Sequence, residues 1–313
     1  MDEAVEGGRG SWGTAFFLTF AVLLLSVFDA LTLILLPLAI LMIGLPDGRK
    51  LKWLLAGVAA WVLSAMFGGG PLANMSRGWA LILGSSYLAF SLAKPFWTVV
   101  SRALASVGLS LAFGATGVAL MGQAGQLDEV IRSHFAEISK LTIGDLQTRM
   151  PESPWVADLQ GATERIATLQ ADLFPALLAL QSLVALALVS WWVRRLGRSD
   201  SDAFRLAKLR DFRFEDNLIW ILIAALILYL LPLVEIADRI ALNMILFMVA
   251  LYALRGLAVF VFLASGARSI ATMVFGAVAL VFLYPVAFMA ALLMGVGDTW
   301  LDVRRRAAKA NPT

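Results

Sequence analysis

Nine apolar blocks, at about 14–28, 30–45, 52–68, 78–93, 97–121, 171–193, 218–234, 240–264 and 269–296, fill most of this 313-residue chain. A membrane-spanning helix needs about 20 consecutive apolar residues. Inside a bilayer the backbone must satisfy its own hydrogen bonds, so these blocks predict helices, not strands. Composition agrees, with 60% hydrophobic and 15% charged residues and a mean hydropathy of +0.84. Soluble domains carry about 25% charged residues. A water-soluble globular enzyme, a disordered chain and a disulfide scaffold are excluded. The fold class is all-α: a polytopic transmembrane bundle of eight to ten helices.

Local breakers divide the blocks. Asp29 separates two short runs, so 14–45 reads as a tight helical hairpin. Gly68-Gly69-Gly70-Pro71 ends the third block, and Lys94-Pro95 parts the fourth from the fifth. Met1–Gly10 is acidic where a cleaved signal is basic, so the first run is expected to be a retained helix.

Charge then orders the loops. The 47–52 loop, the segment 194–213 and the tail (Arg304, Arg305, Arg306 and Lys309) are basic and are expected to face the cytoplasm. The acidic stretch 122–170 falls outside. There Leu127, Val130, Ile131, Phe135, Ile138 and Leu141 predict one amphipathic helix. Trp155, Leu159, Ala162, Ile166, Leu169 and Leu173 carry a second stripe, with Ser153 and Pro154 suited to its N-terminus. The domains are therefore 1–121, an N-terminal bundle; 122–170, an extracytoplasmic amphipathic hairpin; and 171–313, a C-terminal bundle with basic loop and tail. Parity makes the tail awkward, since three blocks follow Arg213. A cytoplasmic tail requires one of them, best the short 218–234, to fall short of a full span, or 269–296 to fold back near Pro285.

Hydrolytic chemistry fails by subtraction. The chain has no cysteine and one histidine, His134, placed in the external stretch. No Ser–His dyad, histidine-based zinc site or Walker A loop can be assembled within the membrane. No catalytic residue, metal or cofactor is expected. Asp298 and Asp302, four apart, are expected to share a helix face and pair with Arg304, Arg305 and Arg306 at an exposed interface.

Ionisable groups at membrane depth are costly and point to function. Arg255 interrupts the apolar run 240–264. Its counter-charge must come from another helix, such as that of Asp29, or from a bound anion, because Asp238 and Asn243 are too distant along one helix. Arg255, Asn243 and Asp29 are the candidate substrate-binding residues, with Arg255 facing the interior. Lys94, Arg102 and Asp29 are expected to snorkel toward an interface. Gly108, Gly114 and Gly117, and Gly256, Gly266 and Gly276, allow close helix contacts.

Phe174-Pro175, Trp192-Val193-Arg194-Arg195, Phe212-Arg213-Phe214, the run 251–259 and the closing Gly295-Val296-Gly297-Asp298-Thr299-Trp300-Leu301-Asp302-Val303-Arg304 occur in that order. This order resembles the YybS-like family of predicted bacterial membrane proteins. Its most specific element is the motif of Gly295, Gly297, Asp298, Trp300, Asp302 and Arg304. The resemblance implies a distant likeness to the six-helix substrate-binding S components of energy-coupling-factor transporters. Such subunits borrow ATP hydrolysis from partners. The expected function is an inner-membrane, transporter-like binding subunit without its own ATPase; the alternative is a scaffold recruiting envelope or cytoplasmic partners through basic loops. Expected partners are membrane lipids and membrane or ATPase subunits, not nucleic acid.

The topology has a direct check with impermeant thiol reagents. A cysteine at Ser199 should react only from the cytoplasmic side and one at Ser139 only from outside; reaction from one side at both positions would contradict it.

Overall fold

The computed structural model describes residue 38 and residues 71–149, 155–196, 209–232, 234–264 and 284–310. Among them no strand occurs, and the all-α expectation holds. The helices are α1 (Pro71–Ala93), α2 (Val99–Leu120), α3 (Ala124–Arg149), α4 (Trp155–Asp172), α5 (Phe174–Leu196), α6 (Ile219–Leu230), α7 (Glu235–Ala264), α8 (Tyr284–Leu301) and α9 (Val303–Ala310). The 14–45 hairpin apart from Leu38, the 47–52 loop, Ser153 and Pro154 lie outside the described residues. The chain forms two compact units, Met1–Leu206 and Ala207–Thr313. The boundary follows α5, whereas the sequence reading grouped 171–313. Helix α5 goes with the first unit because it packs on α2 and α4.

In the first unit, Pro71 opens α1, where its missing N–H is not needed. Thr98 caps α2, its hydroxyl accepting the Ser101 N–H at 3.1 Å. Helix α2 ends where the Gln123 N–H reaches Val118 O (3.2 Å) and the Gly122 N–H reaches Ala119 O (3.1 Å). Gly122 takes the left-handed φ of +64° that this cap requires.

Two buried hydrogen bonds tie α1 to α5. Trp79 Nε1 donates to Ser182 Oγ (2.9 Å), and Tyr87 Oη bonds Ser190 Oγ (2.7 Å). Both join residues 103 apart in sequence, so α1 and α5 run in the same direction. The alternation of acidic and basic loops requires that order.

The α3–α4 hairpin forms on a stripe that shares Ile131 and Phe135 with the expected one and otherwise differs from it. Ile131, Phe135, Ser139 and Ile143 are buried on α3, and Ala167 and Ala171 on α4. Ile138, Leu141, Ile166 and Leu169 face outward instead. The contact follows strict four-residue steps, and on α4 small alanines let the helices approach. Arg132 pins the hairpin to its root, pairing with Asp128 at 2.9 Å and Asp172 at 2.7 Å. The Asp128 hydrogen bond leads the effects that raise the Arg132 pKa. Because Ser139 is buried, the exposed Glu137 is the better external labelling position.

In the second unit, α6 has 12 residues, about 18 Å, against the roughly 30 Å of bilayer hydrocarbon. It is too short for a full span, which is one of the two arrangements the parity of the tail allows; among the described residues α8, from Tyr284, is the other short apolar helix. The link 231–234 returns the chain into the 30-residue α7. Among the described residues, Val99–Leu120, Phe174–Val193 and Glu235–Leu263 are long and apolar enough to cross a membrane. Large apolar side chains face outward on α6 (Trp220, Ile227, Leu230) and α8 (Val286, Leu293). Such a surface suits lipid and would aggregate in water.

Helix α8 packs antiparallel on α7, and two glycines set the distance. A methyl group at Gly256 would collide with the Ala291 carbonyl, and one at Gly295 with the Tyr252 carbonyl. The hydrogens that stand there instead can make Cα–H···O contacts. Gly108 and Gly117 meet no described atom within 4 Å, and Gly114 meets only the Trp79 ring at 3.9 Å. Gly266 and Gly276 lie outside the described residues.

Gly256→Ala and Gly295→Ala should each lower stability in detergent by about 1–3 kcal/mol or more, since backbone must move. Gly297→Ala, whose nearest neighbour is the Leu301 side chain at 4.0 Å, should be neutral or stabilise by up to about 1 kcal/mol. Thermal melting of the three variants separates a packing role for Gly295 from a general need for glycine in the motif.

Candidate functional site

Arg255 stands about 30 Å along α7 from Glu235, with apolar residues on both sides. Its side chain is fully buried, facing the interior and not lipid. A buried guanidinium is tolerated only when carboxylates and acceptors face it. Nε donates to Asp298 Oδ2 of α8 at 3.1 Å. Nη1 lies 2.7 Å from Asp216 Oδ1, on the 3-10 turn Asp216–Leu218 that precedes α6. The guanidinium also rests on the Phe214 ring, 5.4 Å from its centroid, and that ring meets Tyr252 edge-on at 5.2 Å. The counter-charges thus come from elements other than α7, as expected. Asp29 lies outside the described residues.

Asp298 overturns the exposed-pair expectation, because its side chain is fully buried. Gly295, three residues earlier on the same helix face, brings that face of α8 against α7 and carries Asp298 inward with it. Oδ2 accepts from both Arg255 Nε and Arg304 Nη2, the latter at 2.9 Å. Of the three tail arginines only Arg304 turns in; Arg305 and Arg306 are exposed.

Asp302 does not share a helix face with Asp298. Helix α8 ends at Leu301, and Asp302 takes a φ of +44°, a left-handed conformation that Asp tolerates better than most residues. Its carbonyl accepts the Arg305 and Arg306 N–H groups at 3.0 and 3.1 Å and so starts α9. Its carboxylate reaches Arg213 Nη1 at 3.3 Å, while Arg213 Nη2 reaches Asp216 Oδ2 at 3.1 Å. Burial works against the charge on Arg213, but Asp216, Asp302 and Asp298 outweigh it and raise its pKa.

The six side chains form one alternating series: Asp302, Arg213, Asp216, Arg255, Asp298, Arg304. Their formal charges cancel. The series runs from half-exposed Arg213 and Asp216 (45% and 42%) to Arg255 and Asp298 at 0%. Arg304 Nη1 also donates to Arg210 O (3.2 Å) and Phe212 O (2.9 Å). The start of the tail therefore lies against the end of the basic segment, at residues 210–212.

Two polar atoms at the buried end are unsatisfied: Arg255 Nη2 and Asp298 Oδ1 have no hydrogen-bond partner. The Tyr252 and Thr299 hydroxyls face each other beside them. Nη1 of Arg255 and Oδ1 of Asp216 are close but misaligned, an ion pair without a directed hydrogen bond.

The other sequence candidates divide. Asn243 is buried, but its amide donates to Arg239 O one turn back at 2.8 Å. It lies about 18 Å along α7 from Arg255 and does not join the cluster. Trp300 is 63% exposed, as an interfacial residue would be. Arg102 in the first unit is fully buried beside Ser106 and Ser110, which overturns the snorkelling expectation. Lys94 is exposed over the Trp97 ring at 5.9 Å. Asp216, Tyr252 and Thr299 were missed as site residues. Tyr252 and Thr299 stand inside the quoted runs 251–259 and 295–304, and Asp216 lies two residues after the quoted Phe212-Arg213-Phe214.

The helices, their lipid-suited surface and a charge cluster whose inner pair is buried between apolar helices define a helical membrane protein. The chain belongs to the predicted membrane protein family DUF2232, whose family model matches residues 14–299. The resemblance to YybS-like membrane proteins fits that membership. No curated protein and no solved structure matches the chain.

Asp298→Asn should cost about 3–5 kcal/mol of stability, because it leaves two arginines facing a neutral group. An exposed pair would cost only about 0–1 kcal/mol. Thermal melting in detergent distinguishes the two, and a small loss would return Asp298 to the surface.

Proposed function

We propose that this chain is a non-enzymatic, multi-pass protein of the bacterial cytoplasmic membrane with a transporter-like bundle, whose second unit binds a small polar molecule. The observation that carries the reading is Arg255, fully buried with one guanidinium nitrogen unmatched. Charged groups this deep among apolar helices are expensive and mark binding or translocation sites by default. The alternating series gives such a site a route from half-exposed groups to its buried end. With no Walker A loop in the sequence, energy for transport would come from a partner ATPase. The basic segments favour the cytoplasmic side for Arg213 and the tail.

One observation favours the alternative, a membrane scaffold. Arg305 and Arg306 point outward from α9, available to an acidic partner. Co-purification from mild detergent, with mass spectrometry of bound proteins and small molecules, tests the two. The binding reading expects a retained metabolite that is lost in Arg255→Lys, together with ATPase subunits. Envelope or cytoskeletal proteins lost in Arg305→Gln/Arg306→Gln, with no small molecule, would overturn it in favour of the scaffold.

A further inference from the structure

We infer that Asp216 is an internal stand-in for the ligand: it occupies, in one chain, the place that the carboxylate or phosphate of a small oxyanion takes on the Arg255 fork. This inference rests on the binding reading above and names the chemical class of the ligand.

The argument starts from how the guanidinium is used. Arginine has two edges that suit an oxyanion, and the Nη1–Nη2 edge accepts a carboxylate or phosphate with two parallel hydrogen bonds. In this chain Asp298 engages Arg255 only through Nε, at 3.1 Å. Asp216 meets the Nη1–Nη2 end at Nη1 alone, and that contact is incomplete. One oxygen approaches Nη1 at 2.7 Å without hydrogen-bond alignment, and Nη2 has no partner. A structural pair optimised for stability would use the bidentate geometry. A weakly aligned carboxylate is what an exchangeable occupant leaves.

The surroundings differ between the two carboxylates. Asp298 is sealed, held by α8 and shared with Arg304. Asp216 is 42% exposed and belongs to a three-residue turn next to residues 212–215, which have no regular structure. Moving the Asp216 side chain opens Arg255 without breaking either helix. When it swings away, its Oδ2 keeps a partner in half-exposed Arg213. The displaced site would present Arg255 Nη1 and Nη2 as donors and the Phe214 ring as a floor, with the paired Tyr252 and Thr299 hydroxyls nearby. Charge selects the ligand: with Asp216 held by Arg213, the inner set of Arg255, Asp298 and Arg304 carries one net positive charge. An anion restores neutrality, and a cation would not.

The shared chemistry, a small oxyanion, can come from a free anion or from a lipid headgroup. Purified full-length protein in mild detergent is titrated with inorganic phosphate and, separately, with phosphatidylglycerol in mixed micelles, with binding followed by native mass spectrometry. Asp216→Asn should bind one of the two probes at least tenfold more tightly than the unaltered chain, because the internal competitor has lost its charge. The responding probe identifies the source. Arg255→Lys added to Asp216→Asn should abolish the gain, since an ammonium keeps the charge but loses the fork. An unchanged affinity for both probes in folded Asp216→Asn overturns the inference. If that variant does not fold, hydrogen exchange of the unaltered chain decides. Saturating probe should speed exchange across residues 209–218, and unchanged exchange with either probe overturns the inference. A metabolite co-purifying with the unaltered chain despite that result would leave the binding reading intact with a ligand of another kind. Absence of any bound small molecule would remove both.

Discussion

The second unit depends on a guanidinium and a carboxylate removed together from solvent, Arg255 on α7 and Asp298 on α8. Each charge alone would be prohibitive among apolar helices, and each is tolerable because the other is fixed at 3.1 Å. The fixing is done by glycines. Gly256 adjoins Arg255 and Gly295 stands one turn before Asp298, so the residues that allow backbone contact also aim the charges at each other. Close packing and charge pairing are one arrangement seen at two levels, and neither survives loss of the other.

From that pair the interaction spreads outward. Arg304 reaches Asp298 and the carbonyls of Arg210 and Phe212, tying the tail to the segment before α6. Asp216 and Arg213 carry the alternation to half-exposed positions, where pairs contribute little to stability and exchange partners readily. This gradient from fixed to exchangeable charge favours a ligand entering at the Asp216 end and a structural role for the Asp298 end.

The helical, membrane-bound character was legible because long apolar blocks leave the backbone no other solution. Breaks at Pro71 and Lys94-Pro95 were legible for the same local reason. Arg255 was legible as an inward-facing residue because its cost in an apolar run demands partners. Those partners were not: Asp216 is 39 residues away and Asp298 is 43 residues away, and no local pattern encodes contacts of that range. Asp298 was misread as exposed because a charge near a helix end usually is. The signal against it was Gly295 on the same face, whose meaning depends on which helix it meets. The hairpin stripe was misread because Ile138, Leu141, Ile166 and Leu169 look like core residues by type, while small Ala167 and Ala171 make the contact.

A double-mutant cycle tests the central claim most directly. Thermal stability in detergent is measured for the unaltered chain, Arg255→Met, Asp298→Leu and the two combined. If the buried pair organises this unit, each single variant strands a charge, and the combined variant loses less than the sum of the singles by at least about 1.5 kcal/mol. Losses that add within about 0.5 kcal/mol would mean that the two groups are independent and would contradict the account.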